Sequence, residues 1–421
     1  MLKTDFRRKA FVSIAGCLLV QLCVGIIYLW SVLKTPFAAA FSMADSAAAM
    51  VSAYMLTGFV AGALLGGILV DKKGPRLTCT LGVILFSLGV GSSALLTAAS
   101  ARLIYVTYAA LGGFGSGVAY SACISCIQKW MPGRRGLASG LAVSAFGLST
   151  VIFAPVFRGL MNLCTAADGL VSFIAVFSIL GGSFLVLGLL GCALIHGAPE
   201  SECAAAAVSS MTLRQAAGSL PFWCILLTVF FINGAWNLAT PLFYDLGIDR
   251  GLTPAMSTFA ISLSGLFSAA GRLGMAAASD RLGRRPSICL LSLLTVAASL
   301  ALMTVRDSGY IAAVALLAFA YGGPSSVNAA ITTDYFGPKH SGSIYGVILL
   351  ALGGSSLFFN AVSARFLNGD TAATFCMAAL SAAVPLVLMA TLKARELYPR
   401  TAAHVDRYLT AHRRDPVTGR L

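Results

Sequence analysis

Arg272 stands in an uncharged, apolar run with no acidic residue within seven positions on either side. An arginine at the centre of a membrane helix costs about 2.5–3.5 kcal/mol on insertion scales, so it is read as functional by default. Its guanidinium is a planar fork of donors that matches the two oxygens of a carboxylate. The chemistry implied is recognition of an organic anion. The competing reading is a structural arginine reaching for Asp280, eight residues on and roughly 12 Å away along a helix.

Other polar residues recur at helical spacing. Ser264 and Ser268 precede Arg272 on its own face, and Tyr321, Ser325, Asn328 and Thr332 form a second stripe. Asn233, Asn237, Thr240 and Tyr244 form a third, Gln21, Gly25 and Tyr28 a fourth, and Ser356, Asn360 and Ser363 a fifth. In lipid such stripes must face protein or water. They are hydrogen-bonding seams between helices or the wall of a central polar cavity, and several stripes beside one cation favour the cavity. Acidic groups are missing from this picture. All 15 Asp and Glu fall at helix ends, loops or tails. A membrane proton relay ordinarily needs an embedded titratable group, so exchange or uniport is expected, with Asp245 the alternative proton carrier.

Only an unusual frame can hold these residues. The 421 residues are 58% hydrophobic and 10% charged, with a mean hydropathy of +0.87. A soluble chain carries about 25% charged residues, so the bulk of this one lies in lipid. Uncharged stretches long enough to span a bilayer as helices occur at 10–33, 46–70, 77–101, 103–128, 136–157, 169–195, 215–244, 251–271, 286–305, 308–333, 341–364 and 371–392. Met1 to Lys9 is basic, and the apolar run to Leu33 is too long for a signal peptide core, so it is read as a retained first helix. If both termini are cytoplasmic, 22 of the 29 Lys and Arg lie on the inner side and six on the outer, with Arg272 left over. That is the charge asymmetry expected of a multi-pass protein of the cytoplasmic membrane. The net charge of +14 therefore reflects topology, and no nucleic-acid module is present.

The expected organisation is a six-helix bundle over 1–195, a cytoplasmic linker over 196–215, a second bundle over 216–392 and a basic tail over 393–421. The halves repeat. Asp71 to Arg76 (DKKGPR) returns 209 residues later as Asp280 to Arg285 (DRLGRR). Trp130, Pro132, Gly136, Gly140 and Gly147 match Phe336, Pro338, Gly342, Gly346 and Gly353 at an offset of 206. Internal duplication around a central linker is the build of secondary transporters, whose substrate lies between the repeats. Gly58, Gly62 and Gly66, and Gly136 and Gly140, have the spacing of close helix contacts. The glycines from 112 to 117 mimic a nucleotide loop, but no strand precedes them. Eleven cysteines lie almost entirely in apolar stretches, and Cys123 and Cys126 lack the further ligands that zinc needs. No metal, no cofactor and no enzymatic activity is expected, for want of a nucleophile–base pair. A sensor that binds the anion without moving it is the alternative from another class.

The loop D-[RK]-x-G-x-R, present after spans 2 and 8, resembles the signature of the major facilitator superfamily. GIIYLWSVLKTPF in span 1, KWMPGRRGLASGL before span 5 and DYFGPKHSGSIYG before span 11 resemble the oxalate/formate antiporter family, which is related to the monocarboxylate transporters. The resemblance implies an all-α membrane protein of twelve transmembrane helices in two pseudo-symmetric six-helix bundles. It implies that Arg272 contacts the substrate carboxylate and that Tyr28 and Tyr120 line the cavity. Tyr321, Asn328, Asn237, Asn233, Ser268 and Asn360 complete the expected substrate site. The family's loop further implies that Asp71, Arg76, Asp280 and Arg285 latch the two halves, each aspartate meeting a neighbouring helix N-terminus or arginine. Lys72, Lys73, Arg281 and Arg284 are read as topology signals. Dicarboxylate-handling members carry a second cation where this chain has Leu352, and proton-coupled relatives carry an aspartate where it has Ser268. The expected substrate is a monocarboxylate such as pyruvate, lactate or formate, moved by a monomer. Oxalate/formate-type exchange and proton-coupled transport of another anion are the alternatives.

Overall fold

The computed structural model describes residues 3–26, 30–165, 171–198, 210–367 and 370–392. It is helical throughout, with no β-strand among the described residues. The N-terminal half holds α1 (Lys3–Val24), α2 (Trp30–Ala40), α3 (Asp45–Lys73), α4 (Pro75–Ser92), α5 (Gly113–Trp130), α6 (Arg135–Leu163) and α7 (Phe173–Leu194). The C-terminal half holds α8 (Leu213–Ala217), α9 (Leu220–Ala239), α10 (Phe243–Asp249), α11 (Pro254–Leu282), α12 (Arg284–Leu302), α13 (Asp307–Phe336), α14 (Ser341–Val362) and α15 (Thr371–Thr391). Eleven helical segments among the described residues are long and apolar enough to cross a membrane. The first predicted span is described in two pieces, α1 and α2.

Three boundaries depart from the sequence reading. The seventh span starts at Leu220, because the chain breaks after α8 at Gly218 and Ser219 and restarts with Pro221 in the first turn. The fourth begins with 3₁₀ turns over Ala98–Tyr105 and π turns over Val106–Gly112 before α5. The eighth does not pause at Arg272 but continues as one helix to Leu282. Pairing the arginine's backbone along the ladder satisfies groups that lipid could not.

Apolar packing forms one large core from Cys17 to Ile195, joined by Ala329, Tyr345 and Leu349 of the C-terminal half, and smaller cores between Ala216 and Leu392. Met211 and Leu213, in the expected linker, pack on the C-terminal side. Residues 199–209 of that linker and the tail 393–421 lie outside the described residues. Burial of apolar surface cannot drive helices together in lipid, so contact rests on close backbone approach. Gly62 shows how: a Cβ there would collide with the Phe114 carbonyl of α5. Leu88, Ile179, Val186, Leu293, Leu380 and Val387 are exposed on the outside of the bundle, as a lipid-facing surface requires.

The two signature loops fold alike. Gly74 alone separates α3 from α4 and Gly283 alone separates α11 from α12, with φ of 84° and 93°. That left-handed conformation is open chiefly to glycine. Both reversals lie at the same end of the bundle, called the basic end below for its Lys72, Lys73, Arg76, Arg281, Arg284 and Arg285.

Candidate functional site: the floor of a cleft between the halves

The halves meet along two helix pairs, α6 with α11 and α3 with α14. On the first seam Gly136 and Gly140 abut Ala276, Arg272 lies against Val143 and Gly147, and Ser144 donates to the Ala269 carbonyl at 3.4 Å. On the second, Gly67 abuts Gly342, Gly346 abuts Ala63 and Leu64, and Gly353 faces Val60. These contacts occupy the basic-end portions of all four helices. Toward the other end the same helices present exposed Tyr54, Val151, Val156, Met256, Phe259 and Leu357. The cross-half contacts named above therefore gather toward the basic end, and the opposite ends of the four helices read as the walls of a cleft.

Arg272 lies where closure gives way to cleft. It is 8% exposed, and its Nη1 donates to the Val143 carbonyl of the opposite half at 3.4 Å. Its Nε is buried without a partner, as is the Ser268 hydroxyl one turn away. The ion pairs among the described residues involve other groups. The structural reading, in which Arg272 reaches for Asp280, is not what is found, since Asp280 binds Gly136, Leu137 and Arg284. A desolvated guanidinium with unused donors attracts an anion strongly.

Aromatic residues close the floor. Tyr120 packs edge-on against Phe59 and Phe146 at 5.1 Å each, and meets Tyr345 of the other half. Tyr345 in turn donates to the Ser325 carbonyl at 3.2 Å. Beneath them is a small cavity of about 10 Å³ whose lining includes Ser121, Ser125, Gln128, Thr333, Ser341 and Tyr345 beside Ile124 and Ala329. That is room for one water and not for a carboxylate.

The remaining expected residues are distributed unevenly. Tyr321 stacks on Trp236 at 4.3 Å and 10°. Asn328 is 2% exposed and its side-chain oxygen has no partner. Asn237 donates to Ser355 at 3.3 Å, joining α9 to α14. Asn233 instead donates to its own helix at Val229. Asn360 is exposed, donates to Ser356, and lies about 10 Å above Gly353 along α14, away from the floor. Tyr28 lies outside the described residues. Trp236, Tyr345 and Gly147 were missed by the sequence reading. For Trp236 the available signal was adjacency to Asn237 in a polar stripe.

At the basic end each signature aspartate caps a helix of the other half. Asp280 accepts from the amides of Gly136 and Leu137 at 2.8 and 2.9 Å, and Asp71 accepts from the amide and hydroxyl of Ser343 at 2.7 and 2.6 Å. Leu137 and Ser343 are repeat equivalents, so one bond is made twice. The arginines expected beside them are placed differently. Arg76 is exposed. Arg285 donates to the Met389 carbonyl at 2.7 and 2.9 Å, capping α15 within its own half. Arg284, read as a topology signal, takes the bridging place: it pairs with Asp280 at 2.7 Å and Asp334 at 2.8 Å, and Asp334 pairs with Arg135 of the other half at 3.1 Å. Thr333 donates across the halves to Gln128 at 2.7 Å. A usable signal existed: the repeat equivalents of Arg284, Asp334 and Arg135 are Pro75, Gln128 and Ser341, so one latch is charged where its twin is not. No group of three or more metal-ligating side chains is found among the described residues.

Comparison with known proteins agrees with this architecture. The chain is 24% identical over 357 residues to the oxalate:formate antiporter of Oxalobacter formigenes, covering 83% of this chain and 82% of that one. It is 26% identical over 465 residues to apicoplast pyruvate carrier 1 of Toxoplasma gondii, covering 86% and 85%. The structure of the transporter FucP in the outward conformation superposes with a TM-score of 0.70 at 15% identity, covering 91% of this chain and 99% of that one. The model of the Major Facilitator Superfamily matches residues 14–360 and again 225–409. With two repeats, paired signature loops and a cleft between its halves, the chain belongs to the Major Facilitator Superfamily.

Proposed function

We propose that the chain carries a small organic anion across the cytoplasmic membrane by alternating access, with a monocarboxylate such as pyruvate, lactate or formate as substrate, by exchange or uniport. The observation that carries this reading is Arg272: a buried cation at the cleft floor, with no carboxylate partner among the described residues and an unused Nε. A carboxylate entering the cleft supplies the missing charge. Tyr120, Tyr321, Asn328, Asn237 and Ser268 shape its surroundings. Leu352, where a second cation would stand, packs on the apolar cores of both halves, which favours one negative charge over two.

In this reading the basic end faces the cytoplasm together with both termini, because the Lys and Arg excess lies there. The structure is then an outward-open state, and Asp71 and Asp280 with Arg284, Asp334 and Arg135 hold it shut inside. Likeness to an oxalate:formate antiporter supports a second reading, exchange of a dicarboxylate. Uptake of labelled pyruvate, lactate, formate and oxalate into proteoliposomes decides between them. Pyruvate, lactate or formate uptake lost in Arg272→Ala is expected. Tight oxalate binding by the native chain overturns the monocarboxylate assignment.

A further inference from the structure

Gly147 occupies the most confined glycine position on the α6–α11 seam. A Cβ there would fall within the Arg272 guanidinium, close to both Nη1 and Cζ. The absent side chain leaves a notch on the N-terminal half, and the guanidinium of the C-terminal half fills it. One turn back on α6, the Val143 carbonyl receives Nη1. The repeat equivalent, Gly353, faces the side chain of Val60 and no polar group. The notch is therefore a property of one seam and not of the repeat.

The docked arginine crosses the same interface that must separate for the basic end to open. It sits at the cleft end of that seam beside the Ser144–Ala269 bond, so it is among the first cross-half contacts that a molecule in the cleft meets. Its present acceptor is weak. A carbonyl at 3.4 Å is beyond the usual range for N–H···O, and a neutral oxygen competes poorly with a carboxylate for a charged donor. With the cleft empty, the guanidinium has no better partner than the notch.

We propose that Gly147 and Val143 form a receptor for Arg272 that bolts the empty carrier, and that the substrate carboxylate draws the bolt. This rests on the reading of Arg272 as the carboxylate ligand, and it deepens that reading by selecting exchange over uniport. When substrate binds, its oxygens take the guanidinium donors, the cross-half contact with α6 is released, and the halves can part at the basic end. When the cleft is empty the contact persists and the return step is slow. Gly147 is a positioning residue: it touches no substrate and acts through where Arg272 rests.

Gly147→Ala tests this. The added methyl meets the far end of a flexible side chain, and alanine is the better helix former, so the variant is expected to fold. Two readouts are taken on the full chain. The first is efflux of labelled pyruvate from proteoliposomes into buffer with and without unlabelled pyruvate. The native chain should exchange quickly and leak slowly, and Gly147→Ala should raise net efflux about two- to threefold, the low end for losing one weak hydrogen bond. The second is hydrogen exchange of the segments 136–143 and 342–349 without ligand, which reports opening of the basic end whatever the substrate is. Exchange should speed up in Gly147→Ala and in Arg272→Gln, and adding Gly147→Ala to Arg272→Gln should change nothing further. Net efflux and hydrogen exchange that stay native in Gly147→Ala overturn the bolt. So does an equal effect of Gly147→Ala with and without the arginine. Should Gly147→Ala not fold, native hydrogen exchange in Arg272→Gln overturns it alone. Failure of the carboxylate reading looks different: pyruvate is not exchanged at all, while the ligand-free hydrogen-exchange result still stands or falls by itself.

Discussion

The two latches differ in chemistry, and the difference sets a quantitative prediction. Asp280 accepts two backbone amides at the N-terminus of α6 and pairs with Arg284 at 2.7 Å, with both side chains 13% exposed. Removing one partner of a buried pair costs about 3–5 kcal/mol when the other charge is left alone. Here Arg284 keeps Asp334, and the asparagine keeps one acceptor oxygen. Asp280→Asn should therefore weaken the closed basic end by about 2 kcal/mol, roughly a 30-fold change in the ratio of closed to open forms. Asp71 makes two hydrogen bonds to Ser343 alone, so Asp71→Asn should cost about 1 kcal/mol, roughly fivefold. Spin labels at exposed Leu163 and Phe366, one on each half at the opposite end, would read the two populations by distance in a cysteine-replaced chain. Pyruvate affinity measured in parallel should change little, because neither aspartate lies at the cleft floor. An effect of Asp71→Asn equal to or larger than that of Asp280→Asn would refute the charge-based difference. A large fall in affinity with unchanged turnover would refute the latch altogether.

Arg272→Ala should abolish monocarboxylate binding, and Arg272→Lys should retain little of it, since an ammonium cannot reproduce the planar fork; calorimetry on purified protein measures both. Leu352→Lys should weaken pyruvate binding and strengthen oxalate binding at some loss of expression, because the added cation matches the second charge but must be desolvated. Counterflow in sealed vesicles should persist with the proton gradient collapsed, and strict dependence on the gradient together with its loss in Asp245→Asn would refute exchange. Gly67→Val should prevent closure of the α3–α14 seam, where even a Cβ collides with the Gly342 carbonyl. Its expected signature is a short distance between the same labels, indicating a chain trapped open at the basic end.

Much of the latch and little of the arginine's surroundings could be read before folding. Asp71 and Asp280 were singled out because the signature loop resembles that of the major facilitator superfamily, and a carboxylate at a helix end can meet a neighbouring N-terminus or arginine. Which arginine joins Asp280 was hinted at only by the unequal repeat, where Pro75, Gln128 and Ser341 stand for Arg284, Asp334 and Arg135, and was not read from it. Arg284 and Arg285 are adjacent, and adjacent helix positions diverge by about 100°, so the rotation of α12 after Gly283 sends one to Asp280 and Asp334 and the other to the end of α15. Asn360 and Asn233 carried the same spacing signal as Asn237, yet one is exposed far from the floor and the other bonds its own helix. A stripe shows that a face is polar and does not show how far along the helix the neighbouring half still touches it.

The sequence by itself determined that this is a duplicated membrane protein with one cation out of place. Hydropathy, charge asymmetry and motif repeats are properties of the chain taken a few residues at a time, and lipid allows so few backbone solutions that local composition suffices to set them. Only the tertiary structure decided that Arg272 rests in the notch of Gly147, that Arg284 bridges Asp280 and Asp334, and that the cleft stands open at one end. The first and third depend on which helix of one half faces which helix of the other, a relation between residues more than a hundred positions apart, and the second on how α12 turns against α11 and α13. Helices of similar apolar surface can pair in many ways in lipid, and it is close packing at a few glycines and polar contacts that selects one.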